Sequence, residues 1–193
     1  MNPTTTHGIP DPSKIAAGNM GLEIDRFDVK PMIAEVTDTV RTLVQKNRNV
    51  LTVRCAADAG TMQGDLAKTR QILLNLLSNA GKFTSHGSVA IDVRRAAING
   101  EPCIEFCVTD TGVGMTEEET RKVFEPFPQA DVTTTCKHGS TGLSLAIVSR
   151  FCKLMGGTVS VESRPGVGSR FTVRLPAAAT DRSAESLMAA GVL

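Results

Sequence analysis

The sequence predicts an α+β fold: a two-layer α/β sandwich in which a mixed, mostly antiparallel sheet packs under about three helices. Three observations carry that expectation. Apolar residues recur at helical spacing in three stretches, Ile33–Val44, Ile72–Phe83 and Leu145–Met155. They alternate with polar residues in others, around Val89–Val93, Ile104–Val108, Val159–Val161 and Phe171–Leu175. Helical and alternating stretches are intermixed and joined by hairpin signals, which argues against the regular βαβ order of a doubly wound sheet. The chain has 193 residues, 41% hydrophobic and 21% charged, which suits one domain with short extensions.

In chain order, Met1–Pro12 is rich in Pro and Thr, has no periodicity, and reads as a loose leader. Ser13–Met20 reads as the end of a helix stopped at Gly18, and Leu22, Ile24 and Phe27 as a short strand or extended arm. Asp28 with Pro31 marks a helix start, and Ile33, Val36, Val40, Leu43 and Val44 continue its stripe to about Arg48. Leu51 and Val53 read as a strand. Asp65 is placed to cap the long helix that ends near Phe83.

Two alternating runs then flank Asn99-Gly100, a dipeptide that tolerates the positive φ of a tight hairpin. The second run leads into Asp110-Thr111-Gly112-Val113-Gly114-Met115. Thr116 and Glu119 form a capping box for a helix ending near Phe124. Glu125–Ser140 lacks any apolar period, and a stretch of that length inside a compact domain reads as a functional lid. The helix from Thr141 stops at Gly156-Gly157, and a last hairpin turns around Arg164–Gly168. After Pro176 the chain is either a linker or a weak helix.

Composition removes several classes of function. Lys and Arg number 21 against 20 Asp and Glu, so nothing favours a nucleic acid or a membrane surface as partner. No apolar run approaches the roughly 20 residues of a membrane span. The start has no signal-like apolar core, so a cytoplasmic location is expected. Five Cys without a CxxC pair argue for buried or incidental thiols.

The chemistry gathers in four segments. On the helix around Arg70–Thr84, Gln71, Asn75, Asn79 and Lys82 follow one another at i, i+4, i+8 and i+11 along one stripe. Asn presents an acceptor oxygen to a cation and a donor nitrogen to phosphate, and Lys adds a mobile charge. Asp110 leaves a strand just before two glycines, a setting in which a buried carboxylate accepts from an exocyclic amine and a flat ring approaches the backbone. The lid carries Lys137. Gly139-Ser140-Thr141-Gly142-Leu143-Ser144 opens a helix, where free N–H groups and the helix dipole favour phosphate. Neither a P-loop nor a dinucleotide fingerprint is present.

NLLSNAGKFT, DTGVGM, FEPFPQAD and STGLSLAIVSRFCKLMGG together resemble the N, G1, F and G2 boxes of the histidine kinase catalytic domain, within the GHKL ATPase superfamily. The similarity runs from about Leu22 to Pro176, and SKIAAGNM resembles the end of a dimerisation helix in hybrid-type sensor kinases. The resemblance implies a leader and helix remnant over 1–20, a catalytic domain over 21–176, and a tail or linker over 177–193. It implies ATP and Mg²⁺ as ligands. Asn79 would hold the ion and Asn75 would assist with phosphates or water. Lys82 would contact phosphate, Phe83 would pack near the adenine, and Asp110 would bind its amine. Gly112, Gly114 and Met115 would shape the pocket. Gln129 and Lys137 would reach phosphate from the lid, and Gly139, Ser140, Thr141, Gly142, Leu143 and Ser144 would cradle it.

Hydrolytic members of the superfamily carry a Glu four residues before the magnesium Asn. Asn75 stands there in this chain and cannot act as a base, which favours transfer to a protein nucleophile. The three His (His7, His86, His138) lie outside an H-E-x-x-x-P setting, so the phosphoacceptor is expected on a dimerisation domain, with a response regulator further along. Ser140, Ser144 and Cys136 depart from the family pattern, and Gly81 sits where a larger residue is usual. Those departures raise an alternative: a degenerate, non-catalytic module that docks on a kinase or response regulator.

Overall fold

A computed structural model describes residues 21–98, 100–125 and 143–178. Strand β1 (Asp25–Asp28) leads into helix α1 (Val29–Lys46), and strand β2 (Val50–Cys55) follows. After a short 3₁₀ turn come β3 (Thr61–Gly64) and α2 (Leu66–Phe83). The hairpin β4 (Ser88–Ile98) and β5 (Glu101–Asp110) precedes α3 (Glu117–Lys122) and α4 (Leu143–Leu154). Strands β6 (Thr158–Arg164) and β7 (Gly168–Pro176) complete the order.

The main sheet has five strands in the order β2-β4-β5-β7-β6. Its β2–β4 pair is parallel and the other three pairs are antiparallel, as a mixed, mostly antiparallel sheet requires. Ile98 pairs with Glu101, so the β4–β5 loop holds two residues, and Gly100 takes φ +87°. Among the described residues strand β1 pairs with β3 alone, in a separate two-stranded sheet.

The alternation in sequence becomes two faces. Ile91, Val93, Ile104, Phe106, Val108, Phe171, Val173 and Leu175 are buried under the helices, where Ile33, Val36, Val40, Ile72, Leu73, Leu76, Leu77, Val148 and Phe151 meet them. Burial of a side chain of this size contributes about 1.5–3 kcal/mol, so this single seam dominates the fold's stability. The opposite face carries Asp92, Arg94, Glu105, Arg170 and Arg174. Glu105 is only 3% exposed there, held between the guanidinium groups of Arg94 and Arg174.

Gly81 has a physical reason. A Cβ built on it would meet Val44 Cγ2 at 3.0 Å, so the glycine lets α1 approach α2 closely. The amides of Asn47 and Asn49 then donate to the Gly81 carbonyl at 2.9 and 3.2 Å. The roughly 1 kcal/mol that glycine costs inside a helix is offset by that close packing.

Candidate functional site

Helix α2 starts where the sequence places it: Asp65 accepts from the backbone N–H of Lys68 at 2.9 Å. Its buried side is Thr69, Ile72, Leu73, Leu76, Leu77, Ala80 and Gly81, which turns Gln71, Asn75, Asn79 and Lys82 away from the core. Asn75 and Asn79 are half-buried and Lys82 is exposed. Gln71 Nε2 donates to Asn75 Oδ1 at 2.9 Å, and the Lys82 ammonium lies 5.5 Å from the Phe83 ring centroid. The stripe is therefore one continuous polar edge that ends on an aromatic ring.

The far end of this helix abuts the Asp110 loop. Val113 N–H donates to the Phe83 carbonyl at 3.2 Å. Gly112 packs on the same carbonyl, and Gly114, at φ +66°, packs on the Arg164 carbonyl, 1.9 Å from where its Cβ would be. Both glycines are thus required by the chain's own backbone, a reason the sequence motif does not disclose. Met115 is half-buried against the core, with its N–H donated to Ser163 Oγ at 2.8 Å.

Asp110 is 7% exposed and accepts from the backbone N–H of Gly112 at 2.9 Å. Burial pushes its pKa above the usual carboxylate value; the N–H groups of Gly112 and Ser169 and the nearby Thr84 hydroxyl oppose that push. Thr84 Oγ1 makes no well-aligned hydrogen bond among the described residues, although it is buried. A buried acceptor with a buried hydroxyl beside it fits a ligand edge that offers both a donor and an acceptor.

Among the described residues there is no group of three or more His, Cys, Asp or Glu suited to a metal. Asn75 and Asn79 offer neutral amide oxygens instead. That donor set fits a hard cation that takes most of its ligands from phosphate and water, and fits poorly with a metal held by protein alone.

Sequence reasoning thus brought Asn75, Asn79, Lys82, Phe83, Asp110, Gly112, Gly114 and Met115 onto two adjoining elements. It missed Thr84, Ser163 and Ser169, which the fold brings to Asp110 and Met115 from distant positions; Ser163 Oγ and Ser169 Oγ lie 3.0 Å apart beside the Asp110 loop. Gln129, Cys136, Lys137, Gly139, Ser140, Thr141 and Gly142 lie outside the described residues, as do Asn99 and nearly all of the expected lid. Leu143 and Ser144 open α4.

The architecture and this pairing of an Asn-bearing helix with an Asp-Gly loop define an ATPase-type domain with solved counterparts. The nucleotide-free catalytic domain of histidine kinase ThkA shares the fold, with TM-score 0.66 and 22% identity over 81% of this chain and 97% of that one. The crystal structure of full-length ShkA in complex with AMPPNP matches with TM-score 0.73 and 30% identity, over 87% of this chain and 34% of that one. Residues 64–179 match the family of histidine kinase-, DNA gyrase B- and HSP90-like ATPases, and the chain belongs to that family.

Its similarities point to the histidine kinase branch. It is 34% identical over 171 residues to the autoinducer 2 sensor kinase/phosphatase LuxQ of Vibrio cholerae, covering 87% of this chain and 20% of that protein. It is 37% identical over 174 residues to the circadian input-output histidine kinase CikA of Synechococcus elongatus, covering 87% and 22%. Hybrid signal transduction histidine kinase B of Dictyostelium discoideum is 38% identical over 174 residues, covering 87% and 9%. The chain therefore spans less than a quarter of the length of these relatives.

Proposed function

We propose that this chain is the ATP-binding catalytic domain of a two-component sensor histidine kinase, transferring the γ-phosphoryl group of Mg·ATP to a histidine on a dimerisation domain. The observation that carries the reading is the stripe itself. One turn before Asn79 stands Asn75, an amide hydrogen-bonded to Gln71, where a hydrolytic member would hold a carboxylate base. An amide positions phosphate or water but takes no proton, so the site suits transfer to a nucleophile supplied by a partner.

In this reading Asp110 accepts from the adenine amine and Thr84 completes the polar edge. Phe83 and Met115 pack on the ring. Asn79 holds the magnesium ion with Asn75 beside it, and Lys82 faces the phosphates. Gln129 and Lys137 reach them from the lid, and the backbone from Gly139 to Ser144 cradles them. Bound magnesium supplies the charge neutralisation that phosphoryl transfer needs, and the protein's task is positioning. The partners are a dimerisation domain and a response regulator, in the cytoplasm, where ATP is available. No helix of the described residues is long and apolar enough to cross a membrane.

A non-catalytic docking role drew on Ser140, Ser144 and Cys136. Ser144 lies in the first turn of α4 and is not among the non-glycine residues of positive φ, which are Arg48 and His86 among the described residues. That position carries no left-handed strain and leaves the cradle reading intact.

The test is a calorimetric titration with ATP, with and without Mg²⁺, followed by γ-labelled ATP with and without the dimerisation helices of a sensor kinase. The expected outcome is Mg²⁺-dependent binding and acid-labile, alkali-stable label on the added helices only. No nucleotide binding, or stoichiometric labelling of the chain by itself, would overturn it.

A further inference from the structure

Asp65 does more than cap a helix. Its side chain is 1% exposed, and three donors converge on it. Oδ1 accepts from the Lys68 backbone N–H, which is the cap. Oδ2 accepts from the Glu23 backbone N–H at 3.1 Å and pairs with Lys68 Nζ at 2.6 Å. Lys68 Nζ reaches on to the Gly21 carbonyl at 3.1 Å. A cap needs only the first of these bonds. The rest fasten the segment that enters the domain to the first turn of α2.

The same point is held from a second direction. Strand β3, directly before Asp65, has β1 on one edge, from Asp25↔Gly64 to Asp28↔Thr61. On its other edge Gln63 N–H donates to the Ala177 carbonyl at 2.9 Å, and Gln63 bridges Ala178. The chain entering the domain and the chain leaving its last strand thus meet on one four-residue strand, next to the residue that starts α2. From there α2 runs unbroken to Phe83, so Asn75 sits about 15 Å along a rigid rod from the anchor.

We propose that Asp65 is a positioning residue: through the Glu23 N–H and Lys68 it couples the entering segment to the placement of α2, and so to nucleotide affinity at Asn75, Asn79 and Lys82. The proposal rests on reading that stripe as the nucleotide site. A buried carboxylate shared between a helix cap and an incoming segment lets a displacement of that segment reach the helix without passing through the sheet.

Asp65→Asn separates the two roles. Asn caps a helix as well as Asp does, so its oxygen keeps the Lys68 N–H. Its amide nitrogen then meets two donors, the Glu23 N–H and the Lys68 ammonium, and the tether is cut. Glu23→Pro removes the same N–H from the other side and keeps every residue of α2, Asp65 cap included, which keeps the test valid if Asp65→Asn does not fold. Each variant of the 193-residue chain is compared with the parent by Mg·ATP calorimetry, by thermal melting, and by amide exchange over residues 21–28 and 75–82.

Both variants are expected to bind Mg·ATP about fivefold or more weakly, the low end of ordinary coupling between sites, with faster exchange over both segments. If exchange rises over 21–28 while Mg·ATP affinity and exchange over 75–82 stay at parent values, Asp65 is a helix cap only and the proposal falls. If the parent binds no Mg·ATP, the nucleotide reading fails by itself. The exchange at 75–82 then decides the coupling: faster in both variants supports it, unchanged overturns it.

Discussion

The carbonyl oxygen of Phe83, at the end of α2, lies 2.3 Å from where a side chain on Gly112 would begin. No rotamer relieves such a contact, because both partners are backbone. Gly112→Ala must therefore part the helix from the Asp110 loop. The expected effect is a destabilisation of about 1–3 kcal/mol, as for other overpacked sites, together with a large loss of Mg·ATP affinity. Urea unfolding and calorimetry measure the two. Parent-like affinity in Gly112→Ala would show that this junction does not shape the site.

In the proposed site Asn79 would hold the magnesium ion. Asn79→Ala is expected to bind ATP with almost no response to Mg²⁺, while the parent binds more tightly when the ion is present. The side chain is half-buried on the polar edge of α2, so the variant should melt close to the parent. An undiminished Mg²⁺ effect would remove Asn79 from the ion's coordination.

Asp110 should set base selectivity. A carboxylate accepts from the adenine amine but faces an oxygen at that position of guanine, and the lost hydrogen bond with a buried unpaired acceptor costs about 1–3 kcal/mol. The parent is therefore expected to prefer ATP over GTP by roughly tenfold or more, and Asp110→Asn to narrow the gap. Competition titrations settle it; equal affinities in the parent would contradict the pocket.

Glu105 supplies a pH dependence away from the proposed nucleotide site. Burial raises its pKa, but Arg174 and Arg94 outweigh burial and hold the carboxyl below the usual range. A depressed folded value means that the clamp's stabilisation is fully present above the unfolded glutamate's value of about 4.3 and is lost as pH falls through the lower folded value. Glu105→Gln should cost about 1–3 kcal/mol at neutral pH, since two charge-assisted bonds weaken while both guanidiniums still reach water. The parent and the variant should converge in acid. A gap that persists at pH 2–3 would mean the loss is one of packing.

Much of this was legible in the sequence, for reasons that can be named. The capping box at Thr116 and Glu119 forms with both of its bonds, because it is a local pattern within one turn. The buried face of α2 follows from 3.6-residue periodicity alone. What escaped was set by partners far along the chain. Strand β3, Thr-Met-Gln-Gly, is too short for its alternation to stand out and is made a strand by β1 and Ala177–Ala178 on either side. The parallel pairing of β2 with β4 is likewise invisible locally. Gly81 read as a departure from the family until Val44 of α1 supplied the neighbour that needs it. The helix through Arg48 in the sequence reading stops at Lys46, since Arg48 itself turns left-handed at φ +55°.

Strands β2 and β4 are the parallel pair, and the segment that joins them, from Cys55 to Ser88, contains α2. Parallel neighbours close only when their crossover is laid across the sheet. The helix that bears the Asn stripe is therefore also the crossover of that pair, and Ile72, Leu73, Leu76 and Leu77 are the buried side chains that hold it across the sheet. Substitutions at those four side chains would act on whether the crossover stays closed, whereas Asn75 and Asn79, one step round the same cylinder, face away from that seam and can be changed without opening it.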